Sequence, residues 1–170
     1  MLKTKRMFLM PATSKMLDAA AEQNWDALAD LLGGVSVDAN WTQFPESFAY
    51  VREHLQQHPD EKNWWNYFIV VGKDARLAGN CGYKGKPSPE GTVEIGYEIT
   101  ERYQKQGLGT EVVEVLLRHA FKFAEVKAVI AHTLPEENAS TQILRKNGFS
   151  LVGVVQDDTD GTIWRWQKKK

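Results

Sequence analysis

The sequence predicts a single α/β domain. Three observations carry this. The chain has 170 residues, the size of one domain. Its apolar pattern switches repeatedly between helical and strand periods. No Pro-, Gly- or Ser-rich linker or internal repeat divides it, so residues 1–170 read as one domain.

Arg6 to Met10 alternates weakly and stops at Pro11, which suits a first strand. Residues 13–32 are rich in helix formers, with Met16, Leu17, Ala20, Leu28, Leu31 and Leu32 as apolar positions. Asn24 is placed to cap a second helix inside this stretch, and Gly33-Gly34 ends it. Ser47 is expected to cap a further helix, Phe48 to His58, terminated by Pro59. Trp65 to Val71 is aromatic and β-branched, a strand. Gly72-Lys73-Asp74 turns the chain into a second strand, Leu77 to Lys84. Lys86 to Gly91 contains two prolines and a glycine and reads as a loop. Val93, Ile95, Tyr97 and Ile99 then alternate with Glu94, Gly96 and Glu98, a strand with two unlike faces. Leu108, Val112, Leu116, Ala120 and Phe123 recur at helical spacing. Ala128 to Thr133 is a short buried strand, and Pro135 with Asn138 opens a helix ending near Gly148. Phe149 to Val155 and Thr162 to Trp166 close the chain as a hairpin.

Composition excludes several classes. Hydrophobic residues at 42% and charged residues at 25% fit an ordinary water-soluble domain. No apolar run is long enough to span a bilayer, and the basic start lacks a signal-peptide apolar core, so the expectation is a cytoplasmic chain with no membrane partner. Cys81 is the only cysteine, which rules out an internal disulfide and a multi-cysteine zinc site. The four His show no ligand spacing, and no metal is expected. With net charge −1 and no broad basic stripe, non-specific nucleic-acid binding is not expected either. Lys168-Lys169-Lys170 reads as a solvated tail.

The most informative stretch is Gln104-Lys105-Gln106-Gly107-Leu108-Gly109-Thr110, between a strand and a long amphipathic helix. Glycines there let the backbone approach a ligand and aim several N–H groups at one spot. The helix start adds partial positive charge, so the turn suits a phosphate or pyrophosphate. No Lys-Ser/Thr pair follows, so it is not a P-loop, and Val112 stands where a dinucleotide fingerprint needs its third glycine. Read alone, such a turn is equally a tight strand-to-helix connection.

Gln-x-x-Gly-x-Gly after Val93-Glu94-Ile95-Gly96-Tyr97 closely resembles the acetyl-CoA loop of the GNAT superfamily of N-acetyltransferases. Leu134-Pro135-Glu136-Glu137-Asn138-Ala139-Ser140-Thr141 and Leu144-Arg145-Lys146-Asn147-Gly148-Phe149 resemble a second signature, that of its ribosomal-protein N-acetyltransferase-like (RimJ/RimL-type) branch. The strong match spans residues 93–149. The family implies a mixed, mostly antiparallel central sheet of about six to seven strands with helices on both faces.

The resemblance also implies roles. Acetyl-CoA is the expected cosubstrate, its pyrophosphate on the backbone amides of Gln106, Gly107, Leu108, Gly109 and Thr110, with Gln104 opening the motif. Its pantetheine arm pairs like an extra strand with backbone groups of Ile99 and Thr100. An amine attacks the thioester directly, and a backbone N–H near Tyr97 to Ile99 stabilises the oxyanion. Glu94 is the first candidate for general base, with a raised pKa expected from half-burial; its other reading is a structural acceptor. Glu98 is the reserve. Many relatives place a Tyr on the helix before the Gly-Phe pair to protonate the thiolate; Leu144 stands there instead. Ser140 is the candidate hydrogen-bond donor to the sulfur. Asn138 is a candidate pantetheine contact or a plain helix N-cap, and many relatives carry their Asn where Glu137 stands. Arg145 and Lys146 read as a solvated helix face rather than contacts to the cofactor's 3′-phosphate.

Trp41, Phe44, Trp64, Trp65, Tyr67 and Tyr83 are candidate walls of an acceptor pocket, with core packing the alternative for each. His132 reads as a strand residue and Cys81 as a small buried side chain. The acceptor is expected to be an amine-bearing small molecule or a protein N-terminus, and the protein a monomer or homodimer. A non-catalytic acyl-CoA-binding or regulatory domain is the alternative reading.

Overall fold

Side-chain alternation decides which way each strand faces, and the helices follow. The computed structural model describes residues 1–170. The strands are β1 (Leu2–Lys3), β2 (Met7–Pro11), β3 (Asn66–Val71), β4 (Arg76–Tyr83), β5 (Thr92–Ile99), β6 (Ala128–Thr133), β7 (Ser150–Asp157) and β8 (Gly161–Lys169). The helices are α1 (Ser14–Ala21), α2 (Trp25–Leu31), α3 (Ser47–Gln57), α4 (Leu108–Ala120) and α5 (Ala139–Lys146). The strands form one sheet in the order β1-β2-β3-β4-β5-β6-β8-β7. Every pairing is antiparallel except β5 with β6. A parallel pair needs a long crossover, and α4 supplies it.

One face carries α4 and α5. Val93 and Ile95 of β5 are buried there against Val112, Val113 and Leu116 of α4 and Leu144 of α5. The opposite face carries α1, α2 and α3. Its centre is aromatic: Trp41, Phe48 and Phe68 lie mutually 5.5–5.9 Å apart between ring centroids. Leu17, Leu28, Val70 and Leu77 belong to the same buried cluster. So the expectation of a mixed, mostly antiparallel sheet with helices on both faces holds, with eight strands rather than six to seven. The added strand, β1, has two residues and exists only through pairing with Phe8 and Leu9.

Local signals act much as the sequence suggests. Asn24 caps α2 as expected, by accepting from Ala27 N, and Thr13 caps α1 in the same way, by accepting from Met16 N. Ser47 is a correction: it is the first residue of α3, and its hydroxyl donates to the Phe44 carbonyl instead of accepting a helix amide. After α3, Pro59 opens a 3-10 turn to Trp64. This turn buries Glu61, whose carboxylate accepts from His54 Nε2 at 2.9 Å and Trp65 Nε1 at 3.2 Å and faces Lys86 Nζ at 3.4 Å. No helix is long and apolar enough to cross a membrane.

Candidate active site

The parallel seam is short. β5 meets β6 only from Thr92–Ala128 to Glu94–Ile130. Beyond that rung β5 stays with β4 as far as Gly79–Ile99, while β6 continues with β8 to Thr133. The two strands therefore part. Thr100 N donates to Ala78 O and Lys84 N to Glu94 O, so even-numbered residues of this stretch bond to β4. By alternation Tyr97 and Ile99 turn their peptide groups to the open edge.

Beside this edge lies a cleft of about 910 Å3. Ile99, Thr100, Gln104 and Ser140 line it, together with Tyr97, Glu98, Trp41 and Phe44. Gln106 and Leu108 face instead a smaller hollow of about 460 Å3, beside Arg6 and Tyr103. Glu94, Gly107, Gly109, Thr110 and Asn138 line neither. Thr100 departs from the expectation for its backbone: its N–H is bonded to Ala78 and its carbonyl accepts from Tyr103 N. The Ile99 carbonyl is also taken, by Gln104 Nε2 at 2.9 Å.

In the glycine turn, Lys105 (φ 58°) and Gly107 (φ 79°) are both left-handed, a geometry that turns successive amides toward one side. Gly107 is the N-cap of α4. From Lys105 through Thr110 no backbone N–H has an acceptor within the protein. These are the free donors of a helix start, and they suit a polyanion. Side chains lock the turn from behind: Gln106 Nε2 donates to Arg102 O at 2.8 Å, and Arg6 Nη1 donates to Gln106 O at 2.9 Å. Gly109 allows a close approach, since a Cβ there would lie 2.6 Å from Ile143 Cδ1 of α5.

Glu94 stands on the last shared rung of the seam. Its carboxylate meets Lys84 Nζ at 2.6 Å and His132 Nδ1 at 3.0 Å. Burial pushes its pKa up, but Lys84 and His132 outweigh burial and hold it below the usual carboxylate range. The expected raised pKa is thus corrected, because the sequence could not place Lys84 and His132 beside it. Glu98 accepts from Thr42 Oγ1 at 2.8 Å, Gln43 N at 2.7 Å and Asn80 Nδ2 at 3.0 Å. It pins the Thr42–Phe44 segment to the sheet.

Asn138 caps α5: its Oδ1 accepts from Thr141 N at 3.1 Å, and its own N–H donates to Thr141 Oγ1 at 3.0 Å. Arg145 is bound in bidentate fashion to Glu137 and lies 5.0 Å from the Trp166 ring centroid. Leu144 is fully buried. A hydroxyl that the sequence reading passed over is that of Tyr97, which donates to Ser140 O at 3.3 Å. Burial raises its pKa to about 12. Of the six aromatics, only Trp41 and Phe44 reach the cleft; Trp64, Tyr67 and Tyr83 pack in the α4 face and Trp65 in the other. Cys81 is fully buried, which raises its pKa.

Residues 6–150 match the family described as Acetyltransferase (GNAT) domain. The chain is 28% identical over 153 residues to Uncharacterized N-acetyltransferase YjdG of Bacillus subtilis strain 168, covering 89% of this chain and 90% of that one. It is 25% identical over 119 residues to Ribosomal-protein-serine acetyltransferase of Escherichia coli strain K12, covering 69% and 66%. A solved structure of RimL, a ribosomal L7/L12 alpha-N-protein acetyltransferase in complex with coenzyme A, superposes with a TM-score of 0.66 at 17% identity, covering 98% of this chain and 95% of that one. That last likeness shows the fold.

Proposed function

The chain belongs to the GNAT family of acetyltransferases, and on that basis we propose that it moves the acetyl group of acetyl-CoA to a primary amine within a ternary complex. The observation that carries this is the run of amides from Lys105 to Thr110 without a protein acceptor, at the start of α4 and beside the parted edge of β5.

Acetyl-CoA supplies an activated acyl group as its thioester. The amides of Gln106 to Thr110 grip the diphosphate. The open edge at Tyr97 and Ile99 takes the pantetheine arm by strand-like hydrogen bonding, and one of its N–H groups faces the developing oxyanion. As the C–S bond breaks, the thiolate of coenzyme A leaves toward Ser140 and the Tyr97 hydroxyl and takes its proton from water. Glu94 is ionised at neutral pH; set back from the cleft beside His132, it accepts the amine proton through an ordered water. Asn138 contributes by fixing the start of α5, where Ser140 lies. Thr42, Phe44 and Glu98 form the acceptor side.

The acceptor is a protein N-terminal amine or the amine of a small molecule. The name of the Escherichia coli relative favours the protein. We place the activity in the cytoplasm, in a monomer or homodimer of one-domain chains.

The test is acetyl-CoA calorimetry followed by a free-thiol assay with peptides and small amines. Saturable binding with acceptor-dependent thiol release is expected; no binding would remove the reading. Glu94→Gln should lower kcat about thirtyfold with acetyl-CoA affinity within twofold of wild type. Unchanged kcat would remove Glu94 from the proton path.

A further inference from the structure

We propose that Arg6 is a positioning residue for the cofactor's diphosphate, acting through the peptide between Gln106 and Gly107. This rests on the reading of the glycine turn given above.

Arg6 lies just before β2, a hundred residues from the turn, yet its guanidinium reaches both the turn and the first turn of α4. Nη1 donates to Gln106 O at 2.9 Å and Nε to Glu111 Oε1 at 2.7 Å. Nη2 lies 3.5 Å from the place a Cβ on Gly107 would occupy. The guanidinium thus sits on the protein side of the turn.

A peptide unit is planar and trans, so the Gly107 N–H points opposite to the Gln106 carbonyl. By holding that carbonyl, Arg6 fixes the N–H to face away from β2. The restraint matters because the peptide precedes a glycine. Gly107 at φ 79° has little steric preference to stop the unit from turning over. A turned-over peptide would present a carbonyl oxygen to the diphosphate and withdraw one of the free amides. A cation on the carbonyl also polarises the unit and strengthens the N–H as a donor.

Glu111 gives Arg6 a second task. It lies in the first turn of α4, where a carboxylate suits the helix dipole. One of its oxygens, Oε2, is buried without a partner. A diphosphate at the same helix start would be repelled by that charge. Arg6 pairs with it and takes up much of its field.

Titration of coenzyme A by calorimetry, with amide NMR of the same samples, tests this. Arg6→Met keeps the aliphatic stem and should weaken binding about tenfold. Arg6→Lys keeps the charge but lacks the planar fork, and should stay at least threefold weaker than wild type. In wild type, coenzyme A should shift the Gly107 and Leu108 amide protons downfield; in Arg6→Met the Gly107 shift should fall by at least half. Wild-type affinity in Arg6→Met, or full recovery in Arg6→Lys, would overturn the inference while leaving the acetyl-CoA site standing. Failure of wild type itself to bind coenzyme A would instead remove the underlying reading.

Discussion

The two faces of the sheet are built differently. The α4 face rests on α4 and α5 and a core of 25 buried residues, and the unpaired groups it presents at the start of α4 are main-chain amides. The opposite face rests on α1, α2 and α3, with a core of 14, and meets the cleft with side chains on a connecting segment pinned by Glu98. Main-chain donors at a helix start are supplied by backbone geometry, so few residues must be kept to retain them. A wall of side chains changes with every substitution. On the proposed reading, the first construction holds the acetyl donor and the second meets the amine.

The comparison breaks if damage crosses the sheet. Phe68 is fully buried between Trp41 and Phe48, and Phe68→Ala should lower stability by about 4 kcal/mol in urea unfolding. The folded fraction should still bind coenzyme A within twofold of wild type; a large loss of affinity would show the faces to be coupled. Gly107→Glu acts on the other side. It forces a left-handed residue and brings a carboxylate beside Arg6, where it competes with the Gln106 carbonyl. Calorimetry should show affinity for acetyl-CoA about a hundredfold weaker, roughly 3 kcal/mol. Glu98→Gln sharpens the comparison. An amide cannot accept from Thr42, Gln43 and Asn80 together, so the segment loosens. KM for the amine should rise about fivefold while KM for acetyl-CoA stays put.

The smallest effect concerns pH. Glu61 is held at about 2, down from 4.5: the His54 hydrogen bond lowers it most, burial opposes, and Trp65 and Lys86 lower it further. A carboxyl with a depressed folded pKa stabilises above its unfolded pKa and loses that contribution as pH falls. Stability should therefore decline as pH falls from about 4.5 to about 2, and Glu61→Gln should flatten that part of the melting profile.

What the sequence made legible was what local residues decide. The break between α1 and α2 is visible because Asn24 caps its own helix within three residues. The glycine turn is visible because its conformation and its helix are contiguous. Ser47 misled because a serine before a helix serves equally as a cap or as a donor to a preceding carbonyl, and only the Phe44 geometry decides. β1 is too short to carry a period of its own. Glu94 was placed on the right strand, but its neighbours Lys84 and His132 come from β4's end and β6, and their hydrogen bonds reverse the expected pKa shift. Tyr97 showed only its strand period, and Arg6 only a basic residue near a strand; distant pairings give each its setting.

The order in which the chain is made meets an obstacle at the parallel seam. Strands β1 to β5 can zip as neighbours as they are synthesised, interrupted only by the early helices. β6 cannot follow so simply. One of its edges waits for the α4 crossover, and the other is covered by β8 rather than by the next strand in line. Until Gly161–Lys169 has left the ribosome, β6 keeps a bare edge of six residues, Ala128–Thr133, open to any passing strand. Translation pauses or truncations between residues 133 and 161 are where a chaperone would be needed most.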